Sequence, residues 1–80
     1  MEFIFPATVI WNGKKYQYKV YKFKLTPNQY KAELIYSTDK YPITEITFTK
    51  DKGGWKTPLK SKIAQHLVEV LGNDIEHWEN

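Results

Sequence analysis

Residues 2–13 read EFIFPATVIWNG, and no other stretch of the chain restricts its fold as strongly. Aromatic and β-branched residues alternate with others as far as Trp11. Asn12-Gly13 follows at once, a pair that accepts positive φ at both turn positions and so predicts a two-residue β-hairpin. Such a turn fixes the register: Trp11 opposes Lys14, Val9 opposes Tyr16, Ala7 opposes Tyr18 and Phe5 opposes Val20. One face of the hairpin then gathers Phe3, Phe5, Ala7, Val9, Tyr16, Tyr18 and Val20, and this is the expected core side.

The second strand, KKYQYKVYKFKL, changes phase between Val20 and Tyr21, because its apolar residues lie at even positions before that point and at odd positions after it. A bulge or bend there restores the pattern and collects Lys15, Lys19, Lys22 and Lys24 on the outer face. Without one, Tyr21 and Phe23 lie exposed among the lysines. Thr26-Pro27-Asn28 predicts a turn, Gln29 to Ser37 a third strand with Tyr30, Ala32, Leu34 and Tyr36 on one face, and Ile43 to Thr49 a fourth. Connections of hairpin length imply an antiparallel meander.

Beyond Gly53-Gly54, Thr57 suits an N-cap and Pro58 the first helical position. Leu59, Ile63, Leu67, Val70 and Leu71 then recur at helical spacing until Gly72, which reads as the C-terminal stop. The helix spans about four turns at 3.6 residues per turn. Its apolar stripe requires the aromatic face of the sheet as a partner, with Ile75 and Trp78 folding back over the core edge. The expected fold class is α+β: an antiparallel β-meander of about four strands with one C-terminal α-helix packed on one face. Eighty residues, 41% hydrophobic and 16% aromatic, suffice for one core and not two, so residues 1–80 read as a single small domain.

The inventory for catalysis is poor. With no cysteine, neither a disulfide framework nor a thiolate metal site is available. Ser61 and His66 lie five apart on the helix and do not face each other, so they form no nucleophile and base pair. His66 reads as a partly buried helix residue, and His77 with Glu76 and Glu79 as an acidic tail rather than a dedicated metal site. Glu33 and Glu45 alternate with apolar residues and read as outer-face charges. The sequence around Gly53-Gly54 fails the GxxxxGK[ST] phosphate-loop pattern. A non-catalytic protein without metal or cofactor is expected.

Charge is the remaining signal. All twelve basic residues are lysine, against nine acids, for a formal net charge of +3. Six lysines and no acid lie between Lys14 and Lys31, and five lysines with Asp51 alone lie between Lys50 and Lys62. Lys56, Lys60 and Lys62 gather where the helix dipole is already positive, an arrangement that suits phosphates and carboxylates. The first functional expectation is therefore a small domain that binds nucleic acid or another acidic partner through Lys15, Lys19, Lys22, Lys24, Lys50, Lys52, Lys56 and Lys60. In that reading Trp55 adds a stacking surface; in the other its ring folds under the loop. Lysine contacts phosphate as a point charge, and the planar fork of arginine is absent, so binding would be tolerant of sequence and sensitive to salt. Tyr21, Phe23 or Tyr41 could stack the bases of a single strand.

The alternative expectation is a protein–protein interaction module, an adaptor or inhibitor, that uses a sheet edge or the lysine face. An unpaired, uncharged edge strand favours it, whereas a contiguous lysine field with protruding aromatics favours nucleic acid. A third reading treats the lysines as compositional, scattered evenly in space. Glu2 and Pro6 depart from a signal-peptide pattern, and no apolar run approaches the roughly 18 residues of a membrane span. A cytoplasmic protein that does not engage membranes is the expectation.

Overall fold

A computed structural model of the chain describes residues 1–79. The elements are β1 (Glu2–Trp11), β2 (Lys14–Lys22), β3 (Gln29–Ser37), β4 (Glu45–Asp51), β5 (Gly54–Lys56) and α1 (Lys62–Glu79). The strands form one antiparallel sheet in the order β1-β2-β3-β4-β5, and α1 packs on one face, an α+β fold. No helix among the described residues is long and apolar enough to cross a membrane.

The first hairpin has the expected register from Trp11↔Lys14 to Phe5↔Val20, with Asn12 and Gly13 at φ 48° and 74°. Ala7, Val9, Tyr16, Tyr18 and Val20 are buried on the helix side. The expected bulge at Val20-Tyr21 is not there: β2 pairs with β3 in unbroken register from Tyr18 to Lys22, so Tyr21 stays on the open face with Lys19 and Lys22 turns to the helix side, and the irregularity lies on the opposite strand. Phe3 pairs with Tyr21 and Phe5 with Val20, so Ile4 is the bulged residue. Phe3 is thereby moved off the core side to stand 50% exposed, its ring edge-on to Tyr21 at 5.7 Å. A second bulge at Ile35 lies between Tyr18↔Leu34 and Gln17↔Tyr36 and turns Tyr36 to the outer face, where the plain alternation had placed it inside.

The segment after β4 departs most from expectation. Gly53-Gly54 does not lead from strand to helix; it closes a hairpin into a fifth strand, with Asp51 opposite Gly54 and Asp51 Oδ1 accepting from the Gly53 N–H at 2.7 Å. Gly54 has φ 107°, where an L side chain is strained. The Thr57 hydroxyl donates to the Thr47 carbonyl at 2.8 Å, which ties the chain to β4 and caps nothing. The capping oxygen belongs to Ser61, which accepts from the Ala64 N–H at 3.3 Å. Leu59 therefore precedes the helix and is 42% exposed.

The helix buries Ala64, Leu67, Val68, Leu71, Gly72 and Ile75, a stripe at three- and four-residue spacing. Gly72 does not stop it. A Cβ at Gly72 would stand 2.5 Å from three atoms of the Trp55 ring, so the glycine is the seat on which that indole lies. Ile75 belongs to the buried stripe, and Trp78 sits 6.2 Å from Phe5 between ring centroids, covering the core edge as expected.

Gly72→Ala supplies a better helix former yet forces the indole off its seat. We expect a net loss of about 1–3 kcal/mol in urea unfolding, the usual range for overpacking. A Trp55→Leu background should remove most of that loss, and a loss that persists there would place its cause elsewhere.

Candidate interaction surface

The helix occupies one face of the sheet, and no other element of the described residues covers the opposite face or the outer side of β1. In a hairpin closed by a two-residue turn the pair flanking the turn exchanges hydrogen bonds, so Trp11, Val9 and Ala7 direct their backbone groups toward β2. Thr8 and Ile10 direct theirs away. Pro6, on the same outward phase, has no N–H to leave unpaired, which is why a proline is tolerated there. The free edge is uncharged from Phe3 to Trp11, and Ile10 is 58% exposed.

The sequence-predicted lysines divide among several places. Lys15 and Lys19 are exposed on the open face of β2, opposite Ile10 and Pro6 of β1. Lys22 lies on the helix side, opposite Tyr30, with its ammonium 3.6 Å from Glu79. It therefore does not share the outer face with Lys15 and Lys19. Lys24, Lys52 and Lys60 are exposed in connections. Lys50 pairs with Glu76 of the helix, and Lys56 approaches Asp51 to 3.3 Å across the β4–β5 hairpin.

The two lysine groups do not merge. Between β2 and β5 on the open face stand Glu33 and Glu45, directly opposite each other in β3 and β4, with Lys31 bridging them at 3.3 and 3.1 Å. Hydrogen bonds to Glu45 and then Glu33 raise the Lys31 pKa, as expected of an ammonium set between two carboxylates on the outer face. The Asp51 carboxyl is pulled below its ordinary range by the Gly53 N–H first and Lys56 second.

Trp55 is folded inward rather than presented as a stacking platform. Its ring meets Tyr30 at 5.4 Å and Phe48 at 5.7 Å between centroids. The exposed rings are elsewhere: Phe3 and Tyr36 on the open face, Tyr41, 84% exposed, on the β3–β4 connection, and Trp78 near the end of α1. His66 packs against Trp11 at 4.7 Å between ring centroids, the structural role expected of it. No group of three or more metal-binding side chains converges among the described residues. Sequence reasoning missed the free groups of Thr8 and Ile10. The Asn-Gly turn that fixes the register also fixes which amides point outward, so the signal was present.

The connection carrying Tyr41 is latched to the hairpin end. Asp39 accepts from the Tyr16 hydroxyl at 2.6 Å and from the Tyr41 N–H at 3.0 Å, and Lys14 stands 3.7 Å away. Thr38 adds a bond to the Lys15 N–H at 2.9 Å. Burial, and then the bond to Asp39, push the Tyr16 hydroxyl up to about 12 from 10.0. Asp39 is lowered from 3.8, chiefly by the same hydroxyl. Comparison of the chain with protein-family models, curated proteins and solved structures finds no match.

A group whose pKa rises on folding stabilises fully below its unfolded value and loses that contribution as pH climbs through the folded one. The Tyr16 contribution is therefore complete below pH 10.0 and is lost as pH approaches about 12. Asp39 has the opposite sign and weakens the latch only as pH falls below 3.8. We expect stability from urea unfolding to decline above pH 10.0, with a smaller decline in Tyr16→Phe. Equal slopes in the two proteins would place the alkaline sensitivity elsewhere.

Proposed function

We propose that this chain is a non-catalytic protein-interaction domain that receives an extended segment of a partner along the free edge of β1. The observation that carries the reading is an edge strand, uncharged from Phe3 to Trp11, whose Thr8 and Ile10 backbone groups lack partners among the described residues. Long flat edges attract other strands, and proteins usually blunt them with charge. Among the described residues the blunting features of this edge are Glu2, the bulge at Ile4 and Pro6, all near one end. The stretch from Ala7 to Trp11 stays open to strand addition, in which backbone bonds give affinity and alternate side chains give specificity. Lys15 and Lys19 flank that stretch and carry no ion pair among the described residues, so the favoured partner segment has acidic side chains on the open face.

A second reading keeps nucleic acid as the ligand. Lys15 and Lys19 share the open face with Tyr21, Phe3 and Tyr36, which together supply ammonium groups and rings of the kind that hold single strands. Against it, Lys22, Lys50 and Lys56 are already matched to carboxylates, and Glu33 and Glu45 divide the face. The open face offers only Lys15 and Lys19 without an ion pair among the described residues, so a strand held on that face would release few counterions, and log K would fall with log salt with a slope of only about −1.4.

Selection from a displayed library of extended peptides tests the first reading. Binders should be enriched in β-branched and acidic residues and should slow amide exchange at Thr8 and Ile10. Thr8→Pro, which removes one outward N–H from an edge position that tolerates proline, should weaken them about 5- to 10-fold, as expected for one backbone hydrogen bond. Binders indifferent to that substitution, or single-stranded DNA binding with a slope much steeper than about −1.4, would overturn it.

A further inference from the structure

Where the last turns of α1 cross β3, β4 and β5, a cavity of about 390 Å³ opens, lined by Tyr30, Lys50, Trp55, Ile75, Glu76 and Glu79 together with Asn28. Two aromatic walls, Tyr30 and Trp55, stand at 61° to each other. Two carboxylates project from successive turns of the helix. The chain's own cations already sit in this setting: the Lys50 ammonium lies 5.6 Å from the Trp55 ring centroid and pairs with Glu76, and the Lys22 ammonium lies 5.9 Å from the Tyr30 ring and 3.6 Å from Glu79. The Tyr30 hydroxyl donates to Glu79. Aromatic faces flanked by carboxylates attract cations and repel anions, so the chemistry of the walls is selective in sign.

We propose that this cavity is a cage for an alkylammonium group, held shut in the free protein by Lys50 and opened when an incoming ammonium takes its place. Two further observations bear on it. The Lys50 and Glu76 side chains remain 44% and 39% exposed, and an ion pair open to water is worth little, so exchanging one ammonium for another costs little. The Trp55 Nε1 is buried and makes no hydrogen bond of normal geometry among the described residues, although the Glu76 carboxylate lies near enough for this N–H to help lower its pKa after Lys50 has done so. A ligand with an acceptor a few bonds from its cation supplies the bond that this donor lacks. A lysine side chain in a peptide meets that description through its own amide carbonyls. A free alkylamine satisfies only the cationic half. The cage is on the helix side, away from the β1 edge, and does not depend on what that edge binds.

The test follows the indole N–H resonance of Trp55 by ¹H–¹⁵N NMR. The intact chain is titrated with n-butylammonium chloride or with N-acetyl-lysine methylamide, with sodium chloride as the ionic-strength control. Both cations should shift the resonance beyond the sodium control, and the lysine derivative should bind several-fold more tightly because it carries the acceptor. Equal affinities would assign the site to free amines rather than peptide lysine and still support the cage. Lys50→Ala removes the internal occupant and should tighten both by about two- to fivefold. Adding Glu76→Gln to that variant should abolish the gain, while the dispersed amide spectrum reports that each variant is folded. The cage is overturned if the indole resonance of wild type and of Lys50→Ala follows only the sodium control at about 10 mM of either cation, or if the Glu76→Gln change leaves affinity untouched.

Discussion

The packing of one indole on one glycine sets the geometry of this small domain. Trp55 lies on a strand of three residues that could not hold itself to the sheet edge alone, and Gly72 lies in the middle of a helix where glycine is a poor helix former. Each is costly by itself. Together they let the helix backbone approach β5 closely, and the ring adds contacts to Tyr30 and Phe48 beneath it. The helix backbone comes nearest to β1, β4 and β5, and His66 and Trp78 meet Trp11 and Phe5 toward the two ends of β1, so the helix runs along β1 while its middle rests on β5. The large side chains of β2 and β3 fill the space between.

Those side chains are mostly tyrosines, which has a consequence for how the connections are held. Tyr16, Tyr18 and Tyr30 are each at most 3% exposed, and each hydroxyl reaches the periphery of the core: to Asp39, to the Ile43 carbonyl at 2.8 Å, and to Glu79. The rings do the work of apolar residues while the hydroxyls tether the β3–β4 connection and the end of the helix. Burial then raises all three hydroxyl pKa values, before any contribution from neighbouring carboxylates. The core contains no charged residue among those described, and the acids that meet the tyrosines stay near water.

What could be read from the sequence follows from how local each signal is. The Asn12-Gly13 turn determines its own hairpin, so register and buried face were both accessible. The break in the apolar pattern of β2 read as a bulge, but the strand runs straight through it, and the extra residue, Ile4, sits on the neighbouring strand, where no local signal marks it. Tyr36 was misplaced because nothing local marks Ile35 as a bulge. Gly72 read as a stop because a helix-ending glycine and a glycine that seats a ring are locally identical; only Trp55, distant in the chain, separates them. Thr57 was taken for the cap because a strand of three residues is too short to show a period. The lysines were the least readable, since Lys22 meets Glu79 and Lys50 meets Glu76 only after the helix has docked. The fold class rested on periodicity and turns and is as expected; the supposed continuous cationic surface rested on adjacency in sequence and is broken by carboxylates.

The meander order has a bearing on how the chain is made. Each strand's neighbour is the next in sequence, so the sheet can assemble progressively from loops that close cheaply. The cover arrives last: α1 occupies the final stretch of the described chain, and during synthesis the greasy side of the sheet stands bare until those residues leave the ribosome. In that interval the nascent chain exposes both an open flank and an apolar floor, and the proline and kink near the start of β1 are then its chief defence against sticking to its neighbours.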